Sequence, residues 1–302
     1  MAETDPSPYL LDVQGVGIAF GGLKAVHDFN LRLAPGALHG LIGPNGAGKT
    51  TCFNLLTGVY RPDEGEIRLA GRRLNGRAPH IIAGLGVSRT FQNIRLFQNL
   101  SVLDNVRVAC HMRRSHHFLS MLLRTPLSRV EERGIERRAL KLLETIGLAG
   151  RADYAARALP YGDQRRLEIA RALATEPKLL LLDEPTAGMN PGEKQILADL
   201  IREIRDQFHV TILLIEHDMS VVMNLCERIT VLDYGEIIAE GPPGEIQRDP
   251  RVIEAYLGVP DEELAETDAG MVGGAGASGT AGASGATNGA AGAGAGGSHG
   301  VA

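Results

Sequence analysis

The string GPNGAGKT, Gly43 to Thr50, limits what this chain can fold into more than any other segment. A short apolar run ending in glycine, LHGLIG from Leu38 to Gly43, precedes it, and Lys49 to Thr57 reads as a helix. Strand, glycine-rich turn and helix in that order make a phosphate-binding loop. The glycines let backbone N–H groups curl around phosphate oxygens without Cβ clashes, and the helix points its positive end at them. Gly43, Pro44, Asn45, Gly46, Ala47, Gly48, Lys49, Thr50 and Thr51 form the expected cradle. Lys49 supplies a point charge to the terminal phosphate, and Thr50 offers a hydroxyl to Mg²⁺. The competing reading is a chance glycine turn before a helix, which the intact strand and helix context disfavours.

Two further apolar runs, KLLLLDEP at Lys178 to Pro185 and TILLIEH at Thr211 to His217, have the pattern of parallel strands covered on both faces. A helical segment lies between them, so the core is expected to be α/β. Asp183 at the end of the first run suits the magnesium shell, and Glu184 after it suits an attacking water. Taken alone, the two acids are equally a solvated strand end. Alternation around Leu10 to Phe20 and in GEIRLAGRRL, Gly65 to Leu74, predicts antiparallel strands near the N-terminus. From Asn99 to Leu148 the chain turns helical, with Leu140, Leu143 and Ile146 on one face and charges from Glu131 to Lys141 on another. From Ala269 to Ala302 there is no Asp, Glu, Lys or Arg among the glycines and alanines, the composition of a disordered tether.

Charge and cysteine content bound the partners. Lys plus Arg number 31 against 36 Asp plus Glu, a net charge of −5, which argues against a nucleic-acid surface. Cys52, Cys110 and Cys226 are odd in number, widely spaced and without a C-x-x-C pair, as expected in a reducing compartment. No apolar run reaches the length of a membrane span, so a cytosolic chain is expected. His111, His116 and His117 near Cys110 raise the possibility of zinc, but their spacing matches no common zinc pattern.

The segment LPYGDQRRLEIARAL, Leu159 to Leu173, just before the acidic strand, resembles the signature segment of ATP-binding cassette (ABC) proteins. The spacings agree: Phe20 lies 29 residues before Lys49, Gly162 lies 21 before Asp183, and His217 lies 34 after it. The resemblance spans about residues 9–259. It implies a P-loop NTPase (RecA-like) core of the ABC ATPase type, with an N-terminal antiparallel β subdomain and a helical subdomain inserted at about 94–157. Residues 1–8 and 260–302 fall outside it as disordered ends. It also implies the cofactors ATP and Mg²⁺, and assigns roles by position. Phe20 would stack on adenine, although an ordinary core aromatic is the competing reading. Gln92, in RTFQN, would reach magnesium and the attacking water, so that Thr50, Gln92 and Asp183 form the metal set. His217 would contact the γ-phosphate, and Glu184 would orient or deprotonate the water, giving Glu184, His217, Gln92 and Lys49 as the catalytic set. Tyr161, Gly162 and Asp163 would serve the nucleotide of a second subunit. Pro160 stands where the family has serine, and Asn190 where it has aspartate; both changes bear on that shared site.

RTFQNIRLFQNLSVLDNV, Arg89 to Val106, and the ending VIEAYLG narrow the resemblance to ATPase subunits of bacterial branched-chain amino-acid importers. The family implies two transmembrane permease subunits, a second ABC ATPase that is identical or not, and indirectly a periplasmic binding protein, with no nucleic acid. The ATPase would sit on the cytoplasmic face of the bacterial inner membrane, its insert toward the permease. Leu119, Met121, Leu122 and Leu123 would add a docking patch or insert core, and Arg113 and Arg114 a lipid contact or solvated surface. Related ATPases for urea or amide import and for lipopolysaccharide export are the neighbouring alternatives. A non-transport cassette, acting on ribosomes or DNA, lacks support in a chain with one cassette and a short insert.

Overall fold

The computed structural model describes residues 8–112 and 126–257, with residues 112, 126–129 and 131 described as backbone only. These residues belong to one compact unit, Met1–Pro260; the 260–302 tail, His116, His117, Arg113, Arg114, Leu119 and Met121 to Leu123 lie outside the described residues.

The predicted strand alternations near the N-terminus form a four-stranded antiparallel sheet. Its order is β2 (Leu23–Leu33), β1 (Leu11–Phe20), β4 (Glu64–Leu69), β5 (Arg72–Arg73). Gly65 to Leu74 closes as the expected hairpin, with Leu69 opposite Arg72. The second sheet has six strands in the order β10 (Glu236–Gly241), β9 (Arg228–Asp233), β3 (Leu38–Ile42), β8 (Thr211–Ile215), β7 (Leu179–Asp183), β6 (Val87–Arg89). All its pairings are parallel except β9 with β10.

Every residue of β3, β7 and β8 is buried, as continuous apolar runs require of strands covered on both faces. Because side chains alternate, Leu180 and Leu182 join one core with helices from the insert and signature segments. Leu179 and Leu181 join another, with the antiparallel sheet and α1 (Lys49–Leu56). The insert supplies α3 (Val102–Met112) and α4 (Pro126–Thr145), after a short α2 (Pro79–Leu85). Leu143 and Ile146 are buried as their spacing predicts, while Leu140 is half-buried. The signature helix α5 (Tyr161–Ala174) packs against α3 and α4. Then come α6 (Pro191–Phe208), α7 (Met219–Leu225), α8 (Pro243–Ile246) and α9 (Pro250–Leu257). No helix among the described residues is long and apolar enough to cross a membrane.

Strand order positions the site. Along one edge of the parallel sheet the strands run β3, β8, β7, β6. Their C-terminal ends carry, in turn, the glycine-rich loop, His217, the Asp183–Glu184 pair and Gln92. Residues scattered over 175 positions of sequence thus become neighbours, where open α/β sheets place their ligands.

Candidate active site

The loop after β3 has the backbone its glycines demand. Gly43 sits at φ 151°, and a Cβ there would stand 1.9 Å from the Leu232 carbonyl oxygen. Gly48, at φ 101°, caps α1 without a side-chain hydrogen bond; a Cβ would approach Ala25 O to 2.7 Å. The first helical bond of α1 runs from Cys52 N–H to Gly48 O, which leaves the N–H groups of Lys49, Thr50 and Thr51 unpaired within the helix. Inside the loop the Lys49 ammonium donates to Gly43 O at 2.5 Å and Pro44 O at 2.9 Å. Burial pushes its pKa below the ordinary lysine value, opposed by the Glu184 and Asp183 carboxylates. Among the described residues no ion pair neutralises it. A buried cation in the same loop as the unpaired N–H groups of a helix start is suited to a polyphosphate.

Two sequence-predicted residues, Gln92 and His217, converge on a third, Glu184. Its Oε2 accepts a hydrogen bond from Gln92 Nε2 at 3.1 Å and lies 3.8 Å from His217 Nδ1. Glu184 has φ 45°, rare for a residue with a side chain, and its N–H is held by Ile215 O at 2.9 Å. Asp183, by contrast, is buried and ion-paired to Arg89, Oδ2 to Nη2 at 2.7 Å. The hydroxyl of Thr50, the Asp183 carboxylate and the Gln92 amide are hard oxygen donors, the set that Mg²⁺ prefers.

Phe20 is 45% exposed and edge-on to Tyr60, with ring centroids 5.2 Å apart. It is therefore not a core aromatic, and Tyr60 is a neighbour that the motif spacing gave no reason to name. Tyr161 is exposed at the start of α5, where the first helical bond runs from Gln164 N–H to Pro160 O. The N–H groups of Tyr161, Gly162 and Asp163 therefore remain available. The Asp163 side chain is buried and paired with Arg151 and Arg166. Asn190 caps α6: its side chain accepts from Glu193 N at 3.0 Å, and Glu193 Oε2 accepts from Asn190 N at 3.0 Å. An aspartate would fill the same local role.

Several buried polar residues escaped sequence reasoning. Arg165, fully buried in α5, donates to Phe91 O at 2.6 Å, to Gln92 O, to Glu168 at 3.0 Å and to the Tyr161 hydroxyl at 3.2 Å. Glu168 in turn accepts from Phe91 N–H and Arg95 N–H, both at 3.3 Å. The backbone that carries Gln92 is thus clamped to the signature helix. Glu216, entirely buried beside His217, accepts from Thr186 N at 2.8 Å and Thr186 Oγ1 at 2.6 Å, fixing the turn after Glu184. Burial raises its pKa, opposed by those hydrogen bonds. The two arginines of DQRRLE look alike in sequence, yet only Arg165 is buried, while Arg166 is partly exposed.

Comparisons with known proteins bear on the family and the fold. A family model described as ABC transporter matches residues 26–187, and one described as branched-chain amino acid ATP-binding cassette transporter matches residues 236–262. The high-affinity branched-chain amino acid transport ATP-binding protein LivG of Escherichia coli strain K12 is 49% identical over 249 residues, 82% of this chain and 98% of that protein. Its counterpart BraF of Pseudomonas aeruginosa is 47% identical over the same shares. A crystal structure of the ADP conformation of an ATP-binding cassette of an ABC transporter matches with a TM-score of 0.72 and 30% identity, covering 83% of this chain and 99% of that one. On its strand order, the residues gathered at the strand ends and these relatives, the chain belongs to the ATP-binding cassette family of ABC transporters, in the branch of the branched-chain amino acid cassettes.

Proposed function

We propose that this chain hydrolyses ATP to power an importer of branched-chain amino acids from the cytoplasmic face of a bacterial inner membrane. The observation that carries the reading is the convergence of Gln92 and His217 on the Glu184 carboxylate, beside a loop holding the buried Lys49 ammonium. Phe20 stacks on adenine. The backbone from Gly43 to Thr51 and Lys49 hold the phosphates. Thr50, Asp183 and Gln92 would hold Mg²⁺, which when bound neutralises charge on the polyphosphate. Glu184 orients or deprotonates the water that attacks the γ-phosphorus in line, the bond to the β–γ bridging oxygen breaks, and ADP and phosphate leave. His217 holds a γ-phosphate oxygen. Tyr161, Gly162 and Asp163 face the nucleotide of a second cassette through the free N–H groups of α5, so ATP closes a pair of cassettes and hydrolysis reopens it. Two permeases receive that motion, and a periplasmic binding protein delivers the cargo to them. The matched relatives named for branched-chain amino acid transport support this cargo.

The test is capture of the tagged protein from detergent-solubilised membranes of its own cell, with mass spectrometry of what accompanies it. Two different multi-span permeases and a second short cassette are expected. ATP turnover of the reconstituted assembly should rise with leucine, isoleucine or valine on its binding protein. Permeases of a lipid exporter would overturn the cargo, and ribosomal or chromosomal partners without membrane proteins would overturn transport.

A further inference from the structure

Arg89 has no part in the roles above, yet its surroundings are as constrained as those of any catalytic residue. Its side chain is 8% exposed and that of Asp183 is 7% exposed, with Nη2 on Oδ2 at 2.7 Å. The other guanidinium nitrogen, Nη1, donates to Asn54 Oδ1 at 2.7 Å, and Asn54 lies one helical turn after Thr50 in α1. The rings of Phe53 and Phe91 lie 5.4 Å from the guanidinium carbon. Stacking and a forked pair of hydrogen bonds leave a planar cation little choice of orientation. The neighbouring Thr90 Oγ1 accepts from Asp183 N–H at 3.2 Å, so two consecutive residues of one strand end hold Asp183. Among the described residues no donor reaches the other carboxylate oxygen, Oδ1.

We propose that Arg89 is a positioning residue for Asp183: by holding Oδ2 it fixes the buried carboxylate with Oδ1 free to meet a divalent cation's coordination shell. This rests on the reading that Asp183 faces the metal. Asn54 serves the same end at one remove, by holding Arg89. Arg89 also lines a groove of 470 Å³ with Val59, Phe91, Arg95 and Ala109, between the α1–α2 region and the insert.

The test measures Mn²⁺ bound to the full chain's ADP complex by electron paramagnetic resonance, with metal-free ADP affinity as the control. Arg89→Gln is expected to weaken Mn²⁺ about tenfold, Asn54→Ala a few-fold, and Arg89→Lys to recover part of the loss. Metal-free ADP affinity should stay within about twofold, which a collapsed site would not preserve. Should Arg89→Gln fail to fold, Asn54→Ala and Arg89→Lys carry the test. Wild-type Mn²⁺ binding in these variants, with weak binding in Asp183→Asn, overturns the positioning role and leaves the site reading standing. Tighter Mn²⁺ binding in Arg89→Gln makes Arg89 a competitor of the metal and overturns it too. Wild-type binding in Asp183→Asn removes Asp183 from the metal, and both readings fall together.

Discussion

Lys49 shows how one residue's environment sets its chemistry. Its ammonium is buried against two carbonyl oxygens, and no carboxylate is close enough for an ion pair among the described residues. The charge is therefore undercompensated until an anion enters the loop. Lys49→Ala removes that charge and is expected to weaken ATP binding by at least about tenfold, the scale of one lost charge-assisted hydrogen bond. Isothermal calorimetry checks it, and unchanged affinity would contradict the phosphate-loop assignment. The residues of this site that sequence revealed are those in contiguous strings: the phosphate loop by its own pattern, and Phe20, Gln92, His217 and Tyr161 to Asp163 through the family resemblance. Those it concealed act through partners far away in the chain. Arg89 pairs with Asp183 across 94 positions, Arg165 reaches Gln92 O across 73, and Glu216 reaches Thr186 across 30. A lone arginine or glutamate carries no sign in the sequence of which distant backbone it will meet.

At the scale of elements, the central strands were legible because burial on both faces favours apolar runs, and β3, β7 and β8 have them apart from His39, the terminal Asp183 and the initial Thr211. Their pairing order was not legible, since nothing in LLLL says which leucine run will be its neighbour. One residue breaks the apolar rule in β3. His39 is buried, its Nε2 lies 2.8 Å from Thr230 Oγ1 of β9, and burial with the nearby Arg228 charge lowers its pKa to about 4. The folded state thus keeps His39 neutral where the unfolded chain, with a pKa of about 6.5, takes up a proton. The unfolded state binds more protons between those values, so His39 makes stability rise with pH across that window and adds no slope above it. Replacing His39 with Gln is expected to remove about 2 kcal/mol of the difference in unfolding free energy between pH 7.5 and 4.5. Urea titrations of both proteins at the two pH values measure it; equal pH dependence would contradict a neutral buried His39.

Over the whole molecule, on the proposed reading, the two sheets and the inserted helices carry half of one nucleotide site and half of another on a single chain. The loop after β3 and the ends of β6, β7 and β8 form the first. The exposed start of α5 forms the second, and Arg165 and Glu168 join the two by clamping the backbone around Gln92 to α5. In this account, the direct function of that arrangement is hydrolysis at Glu184. The measurement that tests it most directly is ATP turnover by Glu184→Gln, with ATP binding determined on the same sample. Retained binding and turnover at least about a hundredfold slower are expected, the scale of losing a general base. Turnover at the wild-type rate would contradict hydrolysis at Glu184.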